Sequence, residues 1–276
     1  MPRSSSCPDP VGEADRLIWA GTFTAVPRVL DVGRDAHGSW LLTEAVEADD
    51  AVATSAIEPR WRTLAQRSAI AIGMGLRRFH DALPTDTCPF IRTAELRVAT
   101  LRGVGLGPAA GSATSPVPAA SAASRITALS TSPMPPAPSP ANAATAPNAA
   151  TTPDRGRFPA ALADPPPVDR LVVCHGDATV PNTLLDSAGR FAAHVDVGDL
   201  GVADRWSDIA VTTRSVTRRY GPGLEPLVLA AYGVAPDPER TAYYRALWDV
   251  EEALRVRRAE RPRRQTGPQH HLRRAS

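Results

Sequence analysis

Between His175 and Gly198 the chain reads HGDATVPNTLLDSAGRFAAHVDVG. Two carboxylates and one amide in it, Asp177, Asn182 and Asp196, lie close behind short apolar runs. Leu171-Val172-Val173-Cys174 leads into the first, and Phe191 to Val195 leads into the last. Runs of this length read as short buried strands. Gly176 allows a tight turn before Asp177, because it lacks the side chain that would restrict the backbone. Side chains carried at neighbouring strand ends can meet at one point. A carboxylate there can take the proton of an attacking hydroxyl, and an amide and a second carboxylate offer the oxygen ligands that magnesium prefers. That is the equipment of phosphoryl transfer.

Several elements must hold these groups in place. Glu13 to Ala20 reads as a helix with Leu17 and Ile18 as apolar contacts. Val26 to Asp31 and Ser39 to Val46 read as strands, joined by the turn-rich Gly33 to Gly38. Residues 58–82 form a helical region that opens near Pro59, and Ile70, Ile72, Leu76, Phe79 and Leu83 fall on one face. After the catalytic stretch, Asp208 to Tyr220, Leu224 to Tyr232 and Pro238 to Arg257 carry apolar residues at the helical period.

Composition narrows the possibilities. A chain of 276 residues holds one large domain or two modest ones. There are 28 prolines and no lysine, so all 31 cationic side chains are arginine. Formal net charge is +2, yet residues 255–276 hold eight Arg against one Glu, which leaves the remainder net acidic. That basic tail has no interleaved aromatics, and a solvated terminus is favoured over phosphate contacts with nucleic acid. Cys7, Cys88 and Cys174 are odd in number and far apart, which fits buried reduced thiols. No apolar run approaches a membrane span, and the N-terminus lacks the apolar core of a signal peptide, so a cytoplasmic protein is expected. Residues 102–167 hold 14 of the prolines and one aromatic, Phe158. They read as a disordered or extended linker, with a partner-binding stalk as the alternative.

Three further stretches extend the pattern: Gly75-Leu76-Arg77-Arg78-Phe79-His80-Asp81, Asp86-Thr87-Cys88-Pro89-Phe90, and Gly201-Val202-Ala203-Asp204-Arg205-Trp206-Ser207-Asp208-Ile209-Ala210. With the H-G-D, the Asn five residues on and the D-x-G, they resemble the aminoglycoside phosphotransferases, most closely those that modify the 3'-hydroxyl. The resemblance implies an α+β, protein-kinase-like fold with a partial small N-terminal lobe, a mainly helical C-terminal lobe and a long disordered insertion. It implies ATP and Mg2+ as cofactors and a small aminoglycoside-like molecule as substrate. Asp177 would be the catalytic base, with His175 fixing its loop, and Asn182 and Asp196 would bind magnesium. Thr43, Glu44, Ala45 and Val46 would form the hinge that holds adenine. Glu13 matches the helix acid that pairs with a phosphate-binding Lys, but in a sequence without lysine a solvated acid at the helix start is the favoured reading. His80 is expected to pack rather than catalyse. Asp249 reads equally as a substrate-binding carboxylate or a surface acid.

The expected division is 1–12 disordered, 13–50 the remnant of the nucleotide-binding lobe and hinge, and 51–101 helical. The linker at 102–167 follows, then 168–254 with the catalytic loop and pocket helices, and the basic tail at 255–276. There are departures from the family pattern. Relatives place three strands, a phosphate-covering loop and the Lys before the Glu13 helix, where this sequence has twelve residues, and the chain is expected to be truncated there. Asp199 stands where many relatives have Arg, and Arg218 and Arg219 stand near positions where relatives place acids for substrate amines. The alternative function is therefore an inactive remnant that acts at most as an interaction protein.

Overall fold

The computed structural model describes residues 10–36, 38–48, 51–103 and 159–264. The chain opens with α1 (Pro10–Ala20), whose buried face is Ala14, Leu17 and Ala20. The helix begins three residues before Glu13, so Pro10 to Gly12 belong to it rather than to a disordered leader. An antiparallel hairpin follows, β1 (Val29–Asp35) and β2 (Gly38–Thr43). Gly33 and Arg34 are strand residues paired with Trp40 and Ser39, which makes the connection much shorter than the expected six-residue turn. Two small pairings come next: β3 (Glu47–Ala48) with β4 (Ala51–Val52), and β5 (Thr54–Ser55) with a strand of the catalytic segment.

The expected helix over 58–82 is two helices, α2 (Pro59–Thr63) and α3 (Ala65–Ala82). They are separated at Leu64, whose φ of −112° departs from helical geometry. Along α3, Ala69, Ile72, Leu76, Phe79 and His80 are buried at the spacing of one helix face. Gly75 has a packing reason, since a Cβ there would run into the Phe191 ring. Next come α4 (Ala94–Gly103) and, beyond residues 104–158, a single 3-10 turn at Ala160–Leu162 that buries Leu162. Residues 102–103 and 159–163 are thus ordered parts of the fold; the rest of the expected linker up to 158 lies outside the described residues.

The catalytic segment is built on short antiparallel strands. β6 (Leu171–Cys174) pairs with β9 (Gly201–Asp204), and β7 (Thr183–Leu185) lies between β5 and β8 (Phe191–His194). Three helices complete the structure: α5 (Trp206–Tyr220), α6 (Glu225–Tyr232) and α7 (Pro238–Arg264). α7 continues through Arg255 to Arg264, so the first part of the expected basic tail is helical; residues 265–276 lie outside the described set.

Two apolar clusters position the site. Leu76, Val98, Leu101, Ile209, Tyr232, Tyr244 and Leu247 join α3, α4, α5, α6 and α7. Leu17 and Ala20 of α1 meet Phe79, Val173, Val197 and Leu200, which seats α1 against the turn that carries Asp196. Arg16 adds to that seat by donating from Nε to the Leu200 carbonyl at 3.0 Å. No helix among the described residues is long and apolar enough to cross a membrane.

Candidate active site

β6 delivers His175, Gly176 and Asp177 directly from its C-terminal end. Gly176 has φ +88°, and a Cβ there would collide with the Asp199 carbonyl oxygen, so this position needs glycine on two counts. The backbone N–H of Asp177 donates to His175 Nδ1 at 3.2 Å. His175 Nε2–H then points at the Val195 carbonyl, 3.0 Å away. The imidazole thereby ties the Asp177 turn to the strand end that precedes Asp196.

Asn182 reaches back to Asp177. Its Nδ2 donates to the Asp177 carbonyl at 2.9 Å and to Asp177 Oδ2 at 3.1 Å. With its donors spent in this way, the Asn182 Oδ1 acceptor is left over. The other oxygen of Asp177, Oδ1, lies 3.4 Å from Trp248 Nε1 on α7. Asp177 is thus oriented by an amide on one side and an indole on the other.

Asp196 adopts φ +61°, the one non-glycine residue with positive φ among those described. Left-handed backbone at an ordinary residue is strained, and such strain collects at functional sites. Burial raises the Asp196 carboxyl above its usual pKa, and the neighbouring charge of Asp177 raises it further. Glu13 of α1 lies near enough to feel the Asp196 charge. Burial and then the Asp196 charge push its pKa up to about 7. Glu13 is half-buried and faces a second acid, which departs from the solvated helix-start acid anticipated for it. Neither Glu13 nor Asp196 has a hydrogen-bond or ion-pair partner among the described residues.

Burial is the larger cause of both raised pKa values, with a neighbouring acid adding to each. Asp196 and Asn182 Oδ1 are oxygen donors, the kind a hard divalent cation takes. The residues therefore fit magnesium. The residues expected to form the hinge follow directly from β2. The Glu44 N–H is spent on the Arg28 carbonyl at 2.9 Å, and the Val46 carbonyl accepts from Ala53 N–H at 2.8 Å. The Glu44 carbonyl and the Val46 N–H keep no backbone partner among the described residues. Thr43 ends β2, and Ala45 lies exposed between the two.

Asp208 is a residue whose role the motif reading missed. It sits in the first turn of α5, two residues after that helix begins, where the helix dipole favours a carboxylate. Its side chain is fully buried. It accepts from the N–H of His175 at 2.6 Å, from the N–H of Gly176 at 2.9 Å and from His80 Nε2 at 2.9 Å. Burial alone would raise its pKa, but the His80 hydrogen bond and charge and the backbone donors outweigh burial and hold it at about 2. His80, with the Tyr232 hydroxyl 2.8 Å from its other nitrogen, is a buried hydrogen-bonding strut for the loop as well as a packing residue. The signal was present in the sequence: a carboxylate one turn into the helix after the strand that pairs with β6.

Asp199 is held by Arg92 at 3.1 Å and by Arg255 of α7. Arg92 also lies 3.5 Å from Glu251, which grips Arg97 through two hydrogen bonds of 2.9 and 2.7 Å. Asp249 is exposed beside Trp248 and pairs with Arg214 at 2.6 Å, so its charge is already met from within the chain. A cavity of about 200 Å³ opens next to Asp177, lined among others by Arg214, Arg218, Arg219, Trp248 and Glu252.

Comparison with known proteins identifies the family and the fold. The sequence pattern of the APH phosphotransferase enzyme family matches residues 5–244. An aminoglycoside 3'-phosphotransferase from Streptomyces fradiae is 32% identical over 243 residues, covering 86% of this chain and 77% of that enzyme. The crystal structure of a type VIII aminoglycoside 3'-phosphotransferase superposes with a TM-score of 0.56 at 27% identity, over 87% of this chain and 79% of that one. At 24% identity the fold is shared with an aminoglycoside phosphotransferase of Streptomyces rimosus, solved in complex with ADP and streptomycin (TM-score 0.54; 90% and 84% covered). The chain belongs to the phosphotransferase enzyme family, with the α+β, protein-kinase-like fold of the aminoglycoside kinases.

Proposed function

We propose that the protein is an ATP- and magnesium-dependent phosphotransferase that moves the γ-phosphate to a hydroxyl of an aminoglycoside-like small molecule. The observation that carries this reading is the asymmetry of the two aspartates. Asp177 is oriented by Asn182 and Trp248, whereas Asp196 is strained, unpartnered among the described residues and raised in pKa by burial and then by the Asp177 charge. A base needs the first arrangement, and a cation ligand benefits from the second.

In the mechanism that follows, Asp177 accepts the proton of the acceptor hydroxyl as its oxygen bonds to phosphorus. The bond from phosphorus to the bridging oxygen breaks in line, and ADP leaves with that electron pair. His175 and Asp208 keep the loop geometry, which matters because positioning supplies much of the rate in this chemistry. Asn182 and Asp196 would hold the magnesium, which when bound neutralises phosphate charge. Glu44 and Val46 would orient the base through their free backbone carbonyl and N–H, with Thr43 and Ala45 shaping the same edge.

Calorimetric titration of Mg·ATP tests the reading. Micromolar binding that disappears in Asp196→Ala is expected, together with acceptor-dependent ADP release that disappears in Asp177→Asn. A second reading, a remnant that binds partners without catalysis, is favoured by one feature: the sequence has no lysine to neutralise the nucleotide phosphates. Absence of binding at millimolar Mg·ATP would select it.

A further inference from the structure

We infer that the protein has a second binding site, on the outer face of α3, for a small amphiphilic carboxylate: an acyl or aryl body with an anionic head. A cavity of about 390 Å³ lies there, between α3 and the turn from β7 to β8. Small-molecule sites usually measure ~300–1,000 Å³. The cavity shares no residue with the one beside Asp177 or with the hinge. Its larger apolar lining residues are Ile70, Met74 and Phe191, and its cationic ones are Arg67, Arg78 and Arg190. No carboxylate among the described residues lines it.

The helical period builds this surface. Arg67, Ile70, Met74 and Arg78 recur every three or four residues and so share one face of α3. It is a different face from the buried one of Ala69, Ile72, Leu76 and Phe79. Ile70, expected on the buried face, is 39% exposed, and Met74 is 59% exposed. An exposed apolar side chain on its own is ordinary, but these two stand together beside the Phe191 ring, and contiguous apolar surface marks binding sites. Phe191 can lie this close to the helix because residue 75 is glycine. A guanidinium stands at each end of the apolar stripe. Arg67 and Arg78 have no ion-pair partner among the described residues, whereas Arg190 is held by Asp186 at 2.6 Å. Two unmet cations around an apolar floor complement an apolar body that carries a negative charge. The guanidinium fork matches the two oxygens of a carboxylate in pairs. The chain's own residues 104–158 are a poor match for this site, because they hold a single acidic side chain, Asp154.

The test is calorimetric titration of the full chain with octanoate, octanol and acetate. No nucleotide is present, so the result stands apart from the kinase reading. Octanoate is expected to bind at least tenfold tighter than either of the others, and raised salt should shrink its margin over octanol. The double variant Arg67→Gln/Arg78→Gln should lose at least tenfold in octanoate affinity. Both side chains are exposed, so its urea midpoint should match that of the unaltered chain. Met74→Glu, which puts an acid into the cavity, should lose as much affinity. Arg218→Gln, in the cavity beside Asp177, should lose none. Lack of saturable octanoate binding would overturn the inference, as would octanol or acetate binding as tightly as octanoate. So would an affinity unchanged in the double variant or in Met74→Glu, or one lost in Arg218→Gln. Sedimentation of the same samples covers the remaining occupant: a dimer that octanoate dissociates would put a second copy of the chain on this face and overturn the inference as well.

Discussion

Asp208 and Glu13 are both carboxylates beside the same catalytic stretch, and burial pushes the pKa of both upward. They end far apart, at about 2 and about 7. Asp208 meets two backbone N–H groups and the His80 ring. Glu13 meets another acid. Burial is common to both, so partner chemistry decides the outcome: donors favour the charged form and a like charge opposes it. The side of the site built on β6, α3 and α5 is completed by the chain's own hydrogen bonds. The side where α1 meets the Asp196 turn has no such donors to Glu13 or Asp196 among the described residues.

The comparison breaks most visibly at Asp177, which belongs to the finished side yet must act on substrate. Asp177→Asn should lower kcat by roughly a hundred- to ten-thousand-fold, the usual worth of a general base. Mg·ATP affinity should change little, as read by calorimetry. A variant that loses nucleotide binding instead would move Asp177 to the cation-binding side.

Next in size is Asp208→Ala, which strands two N–H groups and His80 without their acceptor. Removing one partner of a buried charged network costs about 3–5 kcal/mol. Urea unfolding should show that loss, with an unchanged m-value if the fold survives. Acid unfolding gives a smaller and independent measure. The folded pKa of Asp208 is depressed from 3.8 to about 2, so its contribution is present above pH 4 and lost as pH falls toward 2. That amounts to about 2 kcal/mol. Asp208→Asn should flatten this part of the stability curve; an unchanged curve would mean the acid transition belongs to other carboxylates.

The same contrast explains what could be read from the sequence. Strand β6, the H-G-D turn, Asn182 and Asp196 were legible because their spacing along the chain also brings them together in space. Elements with strong periodicity, such as the α5 and α6 helices, were legible within two residues. The long-range partners were not. Trp248 reaches Asp177 across 71 positions, and His80 reaches Asp208 across 128. No local pattern fixes such pairs, because tertiary burial of α3, α5 and α7 creates them. Glu13 was misjudged for the same reason: helix position predicts solvent for a first-turn acid, and only the seating of Leu17 against Val197 and Leu200 turns it toward Asp196. Asp249 looked available until α5 supplied Arg214.

The smallest predicted effect tests the α1 side directly. Glu13 has a folded pKa raised from 4.5 to about 7, so the folded state binds its proton more tightly than the unfolded chain does. Stability is then highest below pH 4.5 and falls as pH rises through 7. Glu13→Gln removes the charge while keeping the shape. Without nucleotide or metal, it should stabilise the protein at pH 8 by about 1 kcal/mol, discounted for the partial exposure of the side chain. At pH 4, where the native carboxyl is neutral in both states, the difference should vanish. Urea midpoints at the two pH values measure this. If Glu13→Gln destabilises the protein at pH 8, Glu13 is already meeting a positive charge. The two sides of the site would then be finished alike, and burial would remain as the main reason for the raised pKa of Glu13.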